Sequence, residues 1–220
     1  MIIDPKEISP RELHKVLIGS ILPRPIAWVS TIGSSGKLNL APFSFFTVAS
    51  VNPPVICFSP QYINTVQVGD HTEVVPKDTL RNVRETKEFV VNIVSRNLVE
   101  KMNQTSGDYP PDQSEFEAAG LTPVPSQMVL PPRVGESLVN LECKLHQIIE
   151  FGKQPLSGNL IFGDIVCIHL DEKVYKQGHI DVDILQPVGR MGGFWFSTVT
   201  DRFEIPRPVI SKMPESGFSG

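Results

Sequence analysis

The stretch PRPIAWVSTIGSSGKLNLAPFSFFTVASVNPPVICFSP, from Pro23 to Pro60, decides how this chain is read. It holds dense apolar runs of strand length, yet Ser30, Thr31, Asn39, Ser44 and Thr47 lie inside them. A buried hydroxyl or amide without a partner costs about 1–3 kcal/mol, so these groups call for backbone, water or a ligand. Pro25 to Thr31 predicts a strand ending at Gly33-Ser34-Ser35-Gly36, residues that tolerate a tight turn. Leu38 to Ser50 predicts a second strand region, antiparallel to the first, in which Pro42 marks an edge, a bulge or a bend. After Asn52-Pro53-Pro54, Val55 to Ser59 predicts a third strand.

Upstream, Ser9-Pro10-Arg11-Glu12 has the form of a capping box with proline at the first helical position. Leu13, Val16 and Leu17 give that helix an apolar face, and Gly19 stops it. Downstream, residues 60–76 read as a polar loop. A helix starts near Lys77, with Asp78 or Thr79 as its cap, and Phe89 to Val94 is a strand. Further helix starts fall at Asn97 to Glu100 and at Gln113, the latter stopped by Gly120, and Leu121 to Pro132 wraps the surface. Val139, Leu141, Cys143 and Leu145 alternate with Asn140, Glu142, Lys144 and His146, which predicts a half-buried strand. Leu160 to Leu170 answers as its partner across Gly152 to Gly158, and weaker extended runs follow at 174–175 and 180–182. Six or seven strands with few helices predict a closed antiparallel barrel in a single domain spanning 1–220, with 206–220 as a tail or dimer arm.

The composition is that of a globular chain: 220 residues, 40% hydrophobic, 20% charged, with a formal net charge of −4 and no basic run, which argues against nucleic acid as a partner. No apolar segment reaches membrane-spanning length, and the acidic, proline-broken MIIDPKEISPRELH is unlike a targeting peptide, so a soluble cytoplasmic protein is expected. Three cysteines without CxxC spacing and five histidines without ligand spacing give no reason to expect a disulfide or a metal. No GxGxxG follows a strand, and no local motif assembles a Ser/His/Asp or Cys/His set.

Three features bear on chemistry. Lys77-Asp78-Thr79-Leu80-Arg81-Asn82 suits either simple N-capping or a phosphate held by helix N–H groups, a hydroxyl and nearby cations. Ser30-Thr31 and Asn39 to Phe46, with Trp28, Phe43, Phe45 and Phe46, suit either a barrel core with a bulge or the rim and faces of a planar heterocycle. Gly189-Arg190-Met191-Gly192-Gly193 is either a plain turn or a close backbone approach with Arg190 on a phosphate or a subunit interface.

Taken in order, Arg24 to Thr31, Asn39 to Phe46, Asn52-Pro53-Pro54, Lys77-Asp78-Thr79 with Asn82, and Gly189 to Gly193 resemble the flavin reductase-like family of FMN-binding split barrels over about residues 8–200. That resemblance implies a mainly β fold, a six-stranded antiparallel split β-barrel with peripheral helices, a homodimer, and one FMN per subunit near the dimer interface. It implies that Trp28, Val29, Ser30, Thr31, Asn39, Ala41, Pro42, Phe43, Ser44, Phe45 and Phe46 line the flavin. Lys77, Thr79 and Asn82 would hold its phosphate, and Arg190 would join them. The implied activity is NAD(P)H-dependent flavin reduction, with hydride passing from nicotinamide to FMN, no dedicated catalytic residue, and a monooxygenase or another acceptor downstream. The alternatives are a flavoredoxin-like FMN electron carrier and a flavin-free β-barrel binding module. The chain departs from the family pattern at Met191, where Leu is common, and at Phe194-Trp195-Phe196, where Tyr or His often stands.

Overall fold

The computed structural model describes residues 1–62, 64–68, 70–107, 109 and 113–208. Helix Pro10–Ser20 (α1) opens the chain. The Pro23–Pro60 stretch then yields four main strands, Ala27–Ile32 (β1), Leu38–Phe43 (β2), Phe46–Ser50 (β3) and Val55–Phe58 (β4). The hairpin Asn64–Val68 (β5) and His71–Val75 (β6) leads into helix Asp78–Thr86 (α2) and strand Glu88–Ile93 (β7). Helices Val99–Gln104 (α3) and Glu115–Ala118 (α4) precede the long strands Val139–Glu150 (β8) and Asn159–Leu170 (β9).

Seven strands make one antiparallel sheet in the order β2-β1-β7-β8-β9-β4-β3. Its two edge strands, β2 and β3, are consecutive in the chain and separated only by Ser44 and Phe45. The chain therefore steps from one edge of the sheet to the other, and the sheet curls upon itself. Counted as one bent strand, β2 and β3 complete the six-stranded split barrel. Pro42 sits on the edge strand just before the bend, where the lack of an N–H costs no ladder bond to a second neighbour.

Alternation along β1 sends its side chains to two covered faces rather than to one core face and one solvated face. Ala27 and Val29 point into the barrel with Phe43, Ile56, Phe58, Phe89, Val91 and Ile161. Trp28 points outward into a second core with Ile26, Leu40, Met102, Phe116, Leu121 and Val134, beneath α3, α4 and the segment after them. Both faces are covered, so even the strand's polar members, Ser30 and Thr31, are buried. Helix α2 closes the barrel with Leu80 and Val83.

The outer face of β1, β7 and β8 also carries a buried polar row. Asn92 donates to the Trp28 carbonyl at 2.9 Å and to Ser30 Oγ at 3.3 Å, and its Oδ1 accepts from Val134 N–H at 2.9 Å and from Asn140 Nδ2 at 2.8 Å. Ser30 Oγ donates to the Pro132 carbonyl at 2.5 Å, and Ser137 Oγ to that of Ile93 at 2.7 Å. Glu142 accepts from the backbone N–H groups of Gln127 and Met128. These bonds strap the proline-spaced segment onto the sheet. They also correct the half-buried reading of β8: Asn140 and Glu142 are buried beneath that strap rather than solvated, and only from Lys144 onward does the polar face meet water.

Other expectations shift locally. The capping box forms with both reciprocal bonds, but α1 runs past Gly19 to Ser20 and leaves Val16 and Leu17 exposed. Lys77, not Asp78 or Thr79, is the N-cap residue of α2, and no side chain caps it. Within 60–76 the expected loop contains the β5–β6 hairpin, a separate two-stranded sheet that reaches the barrel core through Val74. A register shift on β9 sets Cys143 opposite Ile165 and Cys167 opposite Glu142. Burial, then the neighbouring Asp164 and Glu142, pushes the Cys143 thiol far up, so it stays a buried thiol. Part of the expected tail, residues 209–220, lies outside the described residues.

Two substitutions test this packing. A Cβ on Gly163 would lie 2.3 Å from Phe89 Cζ in the barrel core, so Gly163→Ala should lower unfolding stability by about 1–3 kcal/mol in urea titration. Asn92→Ala leaves Val134 N–H and the Trp28 carbonyl unpaired under the strap and should cost about 2–4 kcal/mol in the same assay.

Candidate functional site

The bend between β2 and β3 opens a cleft on the barrel's side. Three adjoining recesses all include Pro42 in their walls, the largest of about 550 Å³. Its wall is Lys37, Asn39, Ala41 and Pro42 from the β1–β2 hairpin, Lys77, Asp78 and Thr79 from the start of α2, and Thr105, Ser106, Gly107, Tyr109 and Glu115 opposite. A second recess of about 250 Å³ runs past Pro42, Phe43, Ser44 and Phe45 to His14, Arg24, Gln61, Lys77 and Arg190. The third, about 200 Å³, lies between Ile26, Ser44, Met102, Arg190 and Phe196. Together they have the size and mixed lining of a ligand site.

The polar end is built by a shared network. Asn39 Nδ2 donates to Thr79 Oγ1 at 2.9 Å and to Thr31 Oγ1 at 3.2 Å, and Asn82 Nδ2 donates to Thr31 Oγ1 at 3.0 Å. Two strands and the first turn of α2 are thereby locked together. The helix N-terminus, whose N-cap residue Lys77 makes no side-chain cap hydrogen bond, opens toward the cleft. Uncapped N–H groups and the positive end of the helix dipole make a seat for an anion. Asn82 Oδ1 remains buried without a partner.

The other end is held by Arg24, which is nearly fully buried. Its guanidinium donates to the carbonyls of Ile18 and Ile21 at the end of α1 and of Met191 in the glycine-rich turn, and Nε lies 3.5 Å from Ser44 Oγ. Burial, and then the charge of Arg190, lowers the Arg24 pKa from its ordinary value. Arg190 stacks 4.5 Å over the Phe196 ring and donates to the Gly193 carbonyl. His14 lies 6.4 Å from the Phe45 ring, tilted, at the mouth. Across the cleft, burial raises the Glu115 carboxyl above its usual value although it accepts from Leu40 N–H at 3.1 Å.

Of the residues expected at a site, Asn39, Ala41, Pro42, Phe43, Ser44, Phe45, Lys77, Thr79 and Arg190 line this cleft. Trp28, Val29, Ser30, Thr31 and Asn82 stand behind it, fully or almost fully buried. Trp28 Nε1 donates to Thr105 Oγ1 at 2.9 Å, which fixes the far wall rather than exposing the ring. Phe46 packs against the barrel core. Sequence reading missed Arg24, His14, Lys37, Glu115 and the Thr105-Ser106-Gly107 turn. Among these only the small polar turn after α3 carries a composition signal.

The chain aligns along its whole length with known proteins. It is 38% identical over 217 residues, 98% of this chain and 100% of the relative, to an uncharacterised protein of Halalkalibacterium halodurans. The structure of nitrilotriacetate monooxygenase component B from Bacillus cereus superposes with a TM-score of 0.84 at 35% identity, covering 93% of this chain and 98% of that one. That of Pseudomonas fluorescens 2-nitrobenzoate 2-nitroreductase superposes with a TM-score of 0.83 at 31% identity, covering 99% and 100%. Residues 18–183 match the flavin reductase like domain, and the chain belongs to that family of split-barrel flavoproteins.

Proposed function

We propose that this chain is an FMN-dependent oxidoreductase that takes hydride from NAD(P)H and works as a homodimer. The observation that carries the reading is the Pro42 cleft, with its uncapped helix start at one end and aromatic residues of the strand bend at the other. Lys77, Thr79 and the first N–H groups of α2 hold the phosphate, and Asn39 positions Thr79 from behind. The backbone of Ala41 to Phe45 meets the ring edge, because the bend leaves these residues at the boundary between two ladders. Trp28, Val29, Ser30, Thr31 and Asn82 are the frame on which that edge is built. Bound there, the flavin supplies the redox chemistry, while the chain supplies position, polarity and exclusion of water. Arg24 and Arg190 make the far end of the cleft electropositive, suited to a second anionic molecule such as a dinucleotide.

Exposed Val16, Leu17, Ile21, Phe194, Trp195, Phe203 and Ile205 supply apolar surface for the dimer. The likeness to a monooxygenase component B supports a partner oxygenase as the destination of reduced flavin.

The purified protein should show flavin absorbance, or acquire it with added FMN, and NADH or NADPH should bleach it without oxygen. Flavin uptake without bleaching by either nucleotide would leave an electron carrier, and absence of uptake would overturn the flavin site itself. Lys77→Ala should weaken FMN binding roughly tenfold to a hundredfold, as expected for a charge-assisted hydrogen bond worth about 1.5–3 kcal/mol; unchanged affinity by fluorescence titration would remove Lys77 from the phosphate seat. Glu115→Gln retains an acceptor for Leu40 N–H and removes a negative charge from the same recess, so it should tighten FMN binding several-fold in that titration.

A further inference from the structure

A second group of chemically capable side chains lies apart from the cleft. Cys167, His169 and Glu142 each bring one donor atom to a common point, all within 4.8 Å of one another. Cys167 and His169 are two apart on β9 and share a face, and Glu142 stands directly across from Cys167 on β8. The register shift just before Cys167 re-aims this end of the strand, so the three side chains face outward instead of into the barrel. Cys167 and His169 border a recess of about 450 Å³ lined also by Gln127, Arg133, Ser137 and Asn140, none of which lines the Pro42 cleft, and Glu142 lies buried beneath them.

We propose that this trio binds a borderline transition-metal dication, for which zinc is the reference ion. Cys167 Sγ and His169 Nε2 are 3.5 Å apart. Sulfur and nitrogen ligands at about 2.3 and 2.05 Å from tetrahedral zinc are separated by about 3.6 Å, so this pair already has the required spacing. Glu142 Oε1 lies 2.5 Å from His169 Nε2, a hydrogen-bond distance that opens by roughly 0.8 Å when the cation replaces the intervening proton. The carboxylate is fully buried and gripped from behind by the N–H groups of Gln127 and Met128, at 2.8 and 2.6 Å. Such backing donors orient a ligand carboxylate and keep it charged. A thiolate and a carboxylate together neutralise the dication, so the partly buried site takes on no net charge. A thiolate, an imidazole and one carboxylate select zinc-like ions over magnesium or calcium, which prefer oxygen ligands. The fourth position opens to the recess, where water completes the shell.

The experiment uses the full chain as purified. After equilibrium dialysis against low free zinc, elemental analysis should find one zinc per chain in the wild type and none in a Cys167→Ser, His169→Ala double variant. A measurement without variants accompanies it: Cys57 and Cys143 are buried, so a water-soluble disulfide reagent reads Cys167 in the native protein. Zinc should slow that reaction at least about tenfold, since a metal-bound thiolate is withdrawn from attack. Zinc retained equally by both proteins, zinc retained by neither, or a Cys167 rate indifferent to zinc would each overturn the site and leave the trio as a structural brace on the 127–128 strap.

Discussion

The whole architecture depends on how the two-residue step Ser44–Phe45 is made. A curled sheet has two edges, and an exposed edge is a line of unpaired donors and acceptors that invites association. Here one bent strand supplies both edges, so closing the barrel and breaking the ladder occur at the same place. Pro42 prepares the break by withholding a donor, and Phe45 resumes pairing through its carbonyl, which accepts from Ser59 N–H at 2.9 Å. The gap left in the ladder is where backbone groups become available to a ligand. The cleft is thus a consequence of closure, not an addition to it.

Buried polar side chains do the complementary work of attaching loops to the barrel. Asn92 makes four hydrogen bonds from a site with no solvent exposure, which satisfies the amide fully. The Asn39–Thr79–Thr31–Asn82 group does the same for α2 and so determines where the helix start points. Polar residues within the Pro23–Pro60 runs therefore have two destinies. Ser30, Thr31 and the Asn39 amide are consumed by the fold, whereas Ser44 and the backbone around it face the cleft.

Much of this was legible in the sequence, because strand length, turn composition and caps are local properties. The capping box at Ser9 and the strand succession from Pro25 to Ser59 needed no knowledge of distant residues. The order of motifs was likewise enough to name the family. What could not be read depends on contacts far apart in sequence. Asn140 and Glu142 follow the alternation of a solvated face, and only the strap, tied by Val134 and Gln127, buries them. Arg24 was only the first residue of the motif that runs to Thr31, with no role of its own. Its importance lies in joining the end of α1 to a carbonyl 167 residues away.

The same logic explains why spacing alone gave no hint of the Glu142–Cys167–His169 trio. Metal motifs are recognisable in sequence when the ligands sit within one turn or one knuckle. Here two ligands are separated by one residue on a strand and the third comes from the neighbouring strand, 25 positions before Cys167 in the chain by its number. Their convergence is a property of register: shifting β9 by one residue would send Cys167 and His169 to the opposite face and leave Glu142 charged and alone beneath the strap. Burial by itself would raise the Glu142 carboxyl, yet the two backbone donors and His169 outweigh it and hold the group below its usual value. The two backbone donors also hold the Glu142 carboxyl in place beside the thiol and imidazole that border the open recess, and a carboxyl oriented from behind in this way is what a cation site requires.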